Sequence, residues 1–96
     1  MNAWLAAKSG ERVKEAIAEL TTRAPERIAD ADGDGQFAVW LYVVDRLITG
    51  RFGVSYRDLP DQSWRDRYDH DYSPARAAAD AIEQWREYGD IPDSIA

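Results

Sequence analysis

Ninety-six residues, 45% hydrophobic and 31% charged, suffice for a single domain over residues 1–96 and not for two. With no cysteine, disulfide staples, cysteine nucleophiles and thiolate zinc sites are excluded. The net charge of −6 disfavours direct binding to nucleic acid or an anionic membrane, because both need an excess of Lys and Arg, and it leaves a protein partner open.

The apolar start is interrupted at Lys8 and Glu11 and lacks the basic opening and long apolar run of a signal peptide. No stretch approaches the ~20 apolar residues of a membrane span. The expected location is cytoplasmic. Asn2 is placed to cap a short turn over Ala3–Lys8. Glu11 to Arg23 predicts a helix, with Val13, Ala16, Ile17 and Leu20 on one stripe and Ser9 as its N-cap. Pro25 opens a short helical turn through Ala29. Residues 30–35 are a loop by composition.

Gln36 to Thr49 is rich in strand formers, yet Phe37, Trp40, Leu41, Val44, Leu47 and Ile48 recur at helical spacing. The segment predicts a helix buried on most sides, with Gly50 as its C-terminal glycine. Ser55 and Asp58 are spaced to cap a single turn within the connection 51–62. Ser63 then precedes a short helix from Trp64 to His70, with Trp64 and Tyr68 on one face. In the last helix Ser73 caps, Pro74 takes the first position and Gly89 follows the end. Its inner face holds Ala78, Ala81, Ile82, Trp85 and Tyr88. The fold class is all-α, a small compact bundle of four to five helices with short connections.

Two clusters resemble metal sites in part. Asp30, Asp32 and Asp34 alternate, Gly35 follows in the sixth place and Gln36 in the seventh, like the first half of an EF-hand loop. The second half departs from it, with Ala38 ninth and Leu41 in place of the twelfth-position Glu. Calcium is the one cofactor this loop suggests. The alternative is a polar turn whose Asp34 caps the next helix. Asp66 and His70 stand four residues apart, flanked by Asp69 and Asp71, which is half a metal site.

Ser9, Ser55, Ser63 and Ser73 all sit where helix caps belong. No Gly-x-Ser-x-Gly elbow or glycine-rich phosphate loop is present. No catalytic residue is assigned, and the chain reads as a non-enzyme. The acids of the C-terminal half could imitate phosphates, but Arg57, Arg65, Arg67, Arg76 and Arg86 are interleaved with them. Trp4, Trp64, Tyr56, Tyr68 and Tyr72 either exceed what a small core hides or close its edges. Trp64, Tyr68 and Tyr72, with Asp66, Asp69 and Arg65, form the candidate partner-binding surface.

Asp58-Leu59-Pro60-Asp61, Trp64-Arg65-Asp66, Tyr68-Asp69, Tyr72-Ser73-Pro74, Ala77-Ala78 and Ala81-Ile82 follow one another within residues 54–82. This stretch resembles the C-terminal half of small proteins of actinobacterial phages and prophages. The resemblance implies a protein that binds and redirects a host protein, and it brings no catalytic residues. The leading expectation is therefore an interaction module that binds or inhibits a host protein. A calcium-binding domain and a nucleic-acid-mimicking inhibitor are the alternatives.

Overall fold

Capping residues set where the long helices begin. In the computed structural model, which describes residues 2–59 and 63–87, the Arg12 amide donates to Ser9 Oγ at 3.1 Å and α2 runs Gly10–Arg23. The Phe37 amide donates to Asp34 Oδ1 at 3.2 Å and opens α4, Gly35–Phe52. The Arg76 amide donates to Ser73 Oγ at 3.1 Å and opens α6, Pro74–Glu87. Three shorter helices complete the chain: α1 (Ala3–Ala6), α3 (Pro25–Asp30) and α5 (Trp64–Asp69). A 3-10 turn at Tyr56–Asp58 carries the capping box expected from Ser55 and Asp58.

The protein is all-α, with six helices and no strand among the described residues. That exceeds the four or five expected because the leading turn and the Pro25 turn each close as a helix. Two further expectations are corrected. Gly50 does not end α4; the helix continues to buried Phe52 and stops at Gly53, whose φ of 71° an L side chain resists. Ser63 precedes α5 but makes no side-chain cap. The expected close of α6 at Tyr88 and Gly89 lies outside the described residues.

Helix α4 is the axis of the bundle. It buries Phe37, Ala38, Val39, Trp40, Leu41, Val44, Ile48 and Phe52, and α2, α3, α5, α6 and the 3-10 turn all pack on it. Leu47, expected on its apolar stripe, is instead 44% exposed. Helix α6 lies along α4 through Ala77, Ala78, Ala81 and Ile82, and the three alanines let the axes approach. Trp40 meets the start of α6 by donating Nε1–H to the Tyr72 carbonyl at 2.9 Å. Ile48 and Phe52 meet Ala78 and Ile82 further along, so the two helices run in the same sense. Parallel neighbours cannot be joined by a tight turn, so residues 53–73 carry the chain back. Phe37, Trp40 and Tyr68 cluster where α5 crosses α4, with centroids 5.0–5.9 Å apart, Phe37 and Trp40 stacked and Tyr68 tilted or edge-on to them.

Candidate functional site

The Asp-rich loop sends its carboxylates to separate places. Asp30, the last residue of α3, pairs with Arg57. Asp32 takes a left-handed conformation, φ 56°, and points to solvent. Asp34 caps α4 through Oδ1 and receives Arg65 Nη1 on Oδ2 at 3.0 Å. Gln36 lines a polar recess with Asp34, Arg65, Asp69 and Asp71, away from Asp30. No group of three His, Asp or Glu side chains converges as a metal cage would, among the described residues. The half-site at Asp66 and His70 resolves similarly, because His70 Nδ1–H donates to the Asp66 main-chain carbonyl at 2.7 Å, not to its carboxylate.

The aromatic face of α5 is largely consumed within the fold. Tyr68 is 5% exposed and belongs to the core, which corrects the expectation that it sits on an open surface. Burial, and then the nearby Asp34 charge, push its phenol above the ordinary value. Trp64 is half-buried, edge-on to Tyr56 at 6.1 Å and beneath the Arg67 guanidinium at 5.2 Å. Tyr72 is half-buried under Arg76, whose guanidinium stands 4.0 Å from the ring centre. Arg65 lies over Phe37 and Tyr68 and pairs with Asp34 and with Asp69, the latter at 3.3 Å. Asp66 and Asp69 are exposed. The fold thus unites Asp34 and Gln36 from one predicted site with Arg65, Tyr68 and Asp69 from the other, and leaves Asp30, Asp32 and Trp64 elsewhere.

Two of the acids that could imitate phosphates are neutralised by ion pairs. Asp69 pairs with Arg65, and Asp80 receives Arg67 Nε at 2.9 Å. Arg67 is 7% exposed, and its Nη1 has no hydrogen-bond partner among the described residues.

Three features were not anticipated. Asp45, 7% exposed, accepts Arg27 Nη2 at 2.9 Å on one oxygen. Its other oxygen takes the Ser55 hydroxyl and the Tyr56 amide, each at 3.0 Å. Burial raises the carboxyl pKa, but the Tyr56 amide, Arg27 and Ser55 outweigh it and hold Asp45 below its ordinary 3.8. Asn2 is buried and bonds the Tyr68 and Tyr72 carbonyls at 2.8 and 3.0 Å, which ties the N-terminus to the α5–α6 turn. A lone Asp inside an apolar run was the signal for the first of these. The second carried none beyond a capping residue.

The third is a surface. Of α2, only Val13 and Leu20 are buried, so part of its apolar stripe stays open. Two adjoining recesses of about 460 and 210 Å³ follow it, sharing Ala16, Val39 and Val43. Together they make one groove across α1, α2, α3 and α4, floored by apolar side chains from Trp4 to Tyr42.

These features define a small all-helical protein whose ionic side chains mainly fasten its helices and which carries an apolar-floored groove along α2. Over 46 residues the chain is 37% identical to the Gene 87 protein of Mycobacterium phage L5, covering 48% of this chain and 87% of that protein. It belongs to the family of that phage protein. No family model and no solved structure matches it. No helix among the described residues is long and apolar enough to cross a membrane.

Proposed function

We propose that this chain is a phage- or mobile-element-encoded, non-enzymatic interaction protein that acts by binding a protein of the host cell. The observation that carries the reading is the groove along α2 and α4, an apolar floor beneath a basic rim that no described segment of the chain covers. Kinship with a phage protein supports the biological setting. The α5 face contributes only the exposed edges of Trp64 and Tyr72 with Asp66 and Asp69, since Tyr68 and Arg65 are engaged internally. The test is affinity capture from a mycobacterial lysate at low and moderate salt. Wild type is compared with Val43→Glu, at the groove floor, and Leu47→Glu, on exposed α4 surface outside the groove. A stoichiometric protein retained by wild type and Leu47→Glu but lost with Val43→Glu supports the reading. Capture of nothing at either salt sinks it.

A further inference from the structure

We infer that the groove's occupant is an acidic amphipathic helix of another polypeptide, an inference that rests on the interaction reading above. The charge around the groove runs against the charge of the chain. Lys8, Arg12, Arg23 and Arg27 line it, with Glu19 as the one acid, in a protein of net charge −6. Arg23 is paired with Glu19 and Arg27 with Asp45. Lys8 and Arg12 have no carboxylate partner among the described residues. Neither does Arg46, which reaches the groove's edge by bonding the Tyr42 hydroxyl. The rim therefore offers uncompensated positive charge above an apolar floor, which calls for apolar anchors flanked by carboxylates.

The backbone form follows from what the groove lacks. An extended segment needs a sheet edge for its amides, and among the described residues there is no strand. A helix satisfies its own backbone and presents anchors at every third or fourth position, a spacing that suits a groove laid between helices. Nucleic acid would supply the negative charge but not side chains for the apolar floor. A second copy of this chain is a poor match, because its large exposed apolar side chain, Leu47, stands beside Arg46 and Arg51 on α4 and would bring positive charge to a positive rim.

The test uses the intact protein and two labelled synthetic peptides, read by fluorescence anisotropy. Both carry Leu or Phe at helical spacing; one has Glu between the anchors and the other Lys. The Glu peptide should bind, weaken as salt rises, and weaken on the order of ten-fold with the double substitution Lys8→Glu, Arg12→Glu. Those two residues are exposed, so that variant should melt like wild type. Val43→Glu should abolish binding and Leu47→Glu should leave it unchanged. Equal binding of both peptides, no binding of the Glu peptide, or binding indifferent to Val43→Glu overturns the inference. So does a concentration-dependent dimer lost with Val43→Glu, which would give the groove to a second copy. A host protein captured through Val43 but by a basic or non-helical segment would also overturn it, while leaving the interaction reading intact.

Discussion

Asp45 is the position at which the fold should be most sensitive to a single polar substitution. Its two oxygens do different work. Oδ1 takes the Ser55 hydroxyl and the Tyr56 amide and so pins the returning chain to α4. Oδ2 takes Arg27 and so pins α3. Asp45→Ala removes these three bonds and a longer one from the Thr49 hydroxyl at 3.5 Å, and leaves the Tyr56 amide and the Arg27 guanidinium short of an acceptor. An unsatisfied amide costs about 1–3 kcal/mol, and a half-buried cation stripped of its partner adds to that. Arg27 retains access to water, which trims its share. The sum is roughly 3 kcal/mol, or about 12–24 °C in melting temperature for a domain of this size. Asp45→Asn preserves a carbonyl for Ser55 and Tyr56 but turns an amide toward Arg27. It should cost about half as much. The carboxyl also sets an acid dependence. Its folded pKa lies below the ordinary 3.8, so in acid the unfolded chain binds the proton first. The stability it contributes is whole above about pH 5 and is lost as pH falls through the folded value. The gap between wild type and Asp45→Asn should therefore narrow on acidification. Urea unfolding at neutral pH and at pH 3 measures both effects. A loss below about 1 kcal/mol for Asp45→Ala, or a gap constant with pH, would refute the reasoning.

Other substitutions separate packing from polar effects. A Cβ on Gly35 would stand 2.8 Å from Ile17 Cγ2, a branched and stiff neighbour. Gly35→Ala should destabilise by about 1–2 kcal/mol, and Ile17→Ala in the same chain should recover part of it, a coupling that a double-mutant cycle in urea reads directly. Asn2→Ala takes one of two donors from each of the Tyr68 and Tyr72 carbonyls, which keep the Asp71 amide and Trp40 Nε1–H, and removes the cap of α1; it should cost about 1–2 kcal/mol and speed amide exchange in α1 before the rest of the fold. Arg67→Met replaces a buried cation that has one ion pair and an unpartnered Nη1 with an apolar chain of similar length. Its thermal melting point should stay within a few degrees of wild type or rise, because a buried ion pair exchanged for good packing is often neutral.

How much of this was legible in the sequence depends on the range of the interaction. Local grammar read well. Ser9, Asp34, Ser55 and Ser73 cap as their spacing predicted, and Gln36–Thr49 is helix despite its strand-forming residues. Its helical period outweighed β propensity because α4 is surrounded by other helices and there is no strand to join among the described residues. Long-range choices did not read. Nothing local says that Tyr68 turns inward onto Phe37 and Trp40, or that Arg65 reaches Asp34 across 31 residues. The groove along α2 was hidden for the same reason. Periodicity shows that a stripe is apolar but not how much of it a neighbour covers.

The Asp-rich loop shows how one local signal can have several unrelated causes. Helices α3 and α5 are each six residues long and close with the same pair of main-chain bonds. The Gly33 and Asp32 amides bond the Ile28 and Ala29 carbonyls; the Tyr72 and Asp71 amides bond those of Arg67 and Tyr68. In both turns an Asp holds the left-handed position, with φ of 56° at Asp32 and 64° at Asp71. Two residues later Asp34 or Ser73 caps the next helix. Alternating acids at 30, 32 and 34 thus arise from an ion pair, a left-handed turn and an N-cap, with no ion required. The two turns differ in that Gly33, after Asp32, is also left-handed with φ of 80° whereas Tyr72, after Asp71, is not, and in what the Asp carboxylate does. Asp71 Oδ1 accepts the Ala3 amide at 2.9 Å, whereas the Asp32 carboxylate has no hydrogen bond among the described residues. Glycine at either position relieves the left-handed backbone, worth about 0.5–1 kcal/mol where Asp already tolerates it. Asp32→Gly should therefore stabilise by about that amount. Asp71→Gly gains the same relief but loses an acceptor worth about 1 kcal/mol or more, and should be neutral or destabilising. Matched urea curves decide the point: equal shifts of the same sign would mean that Asp71 does not hold the N-terminus and that the two turns are energetically alike.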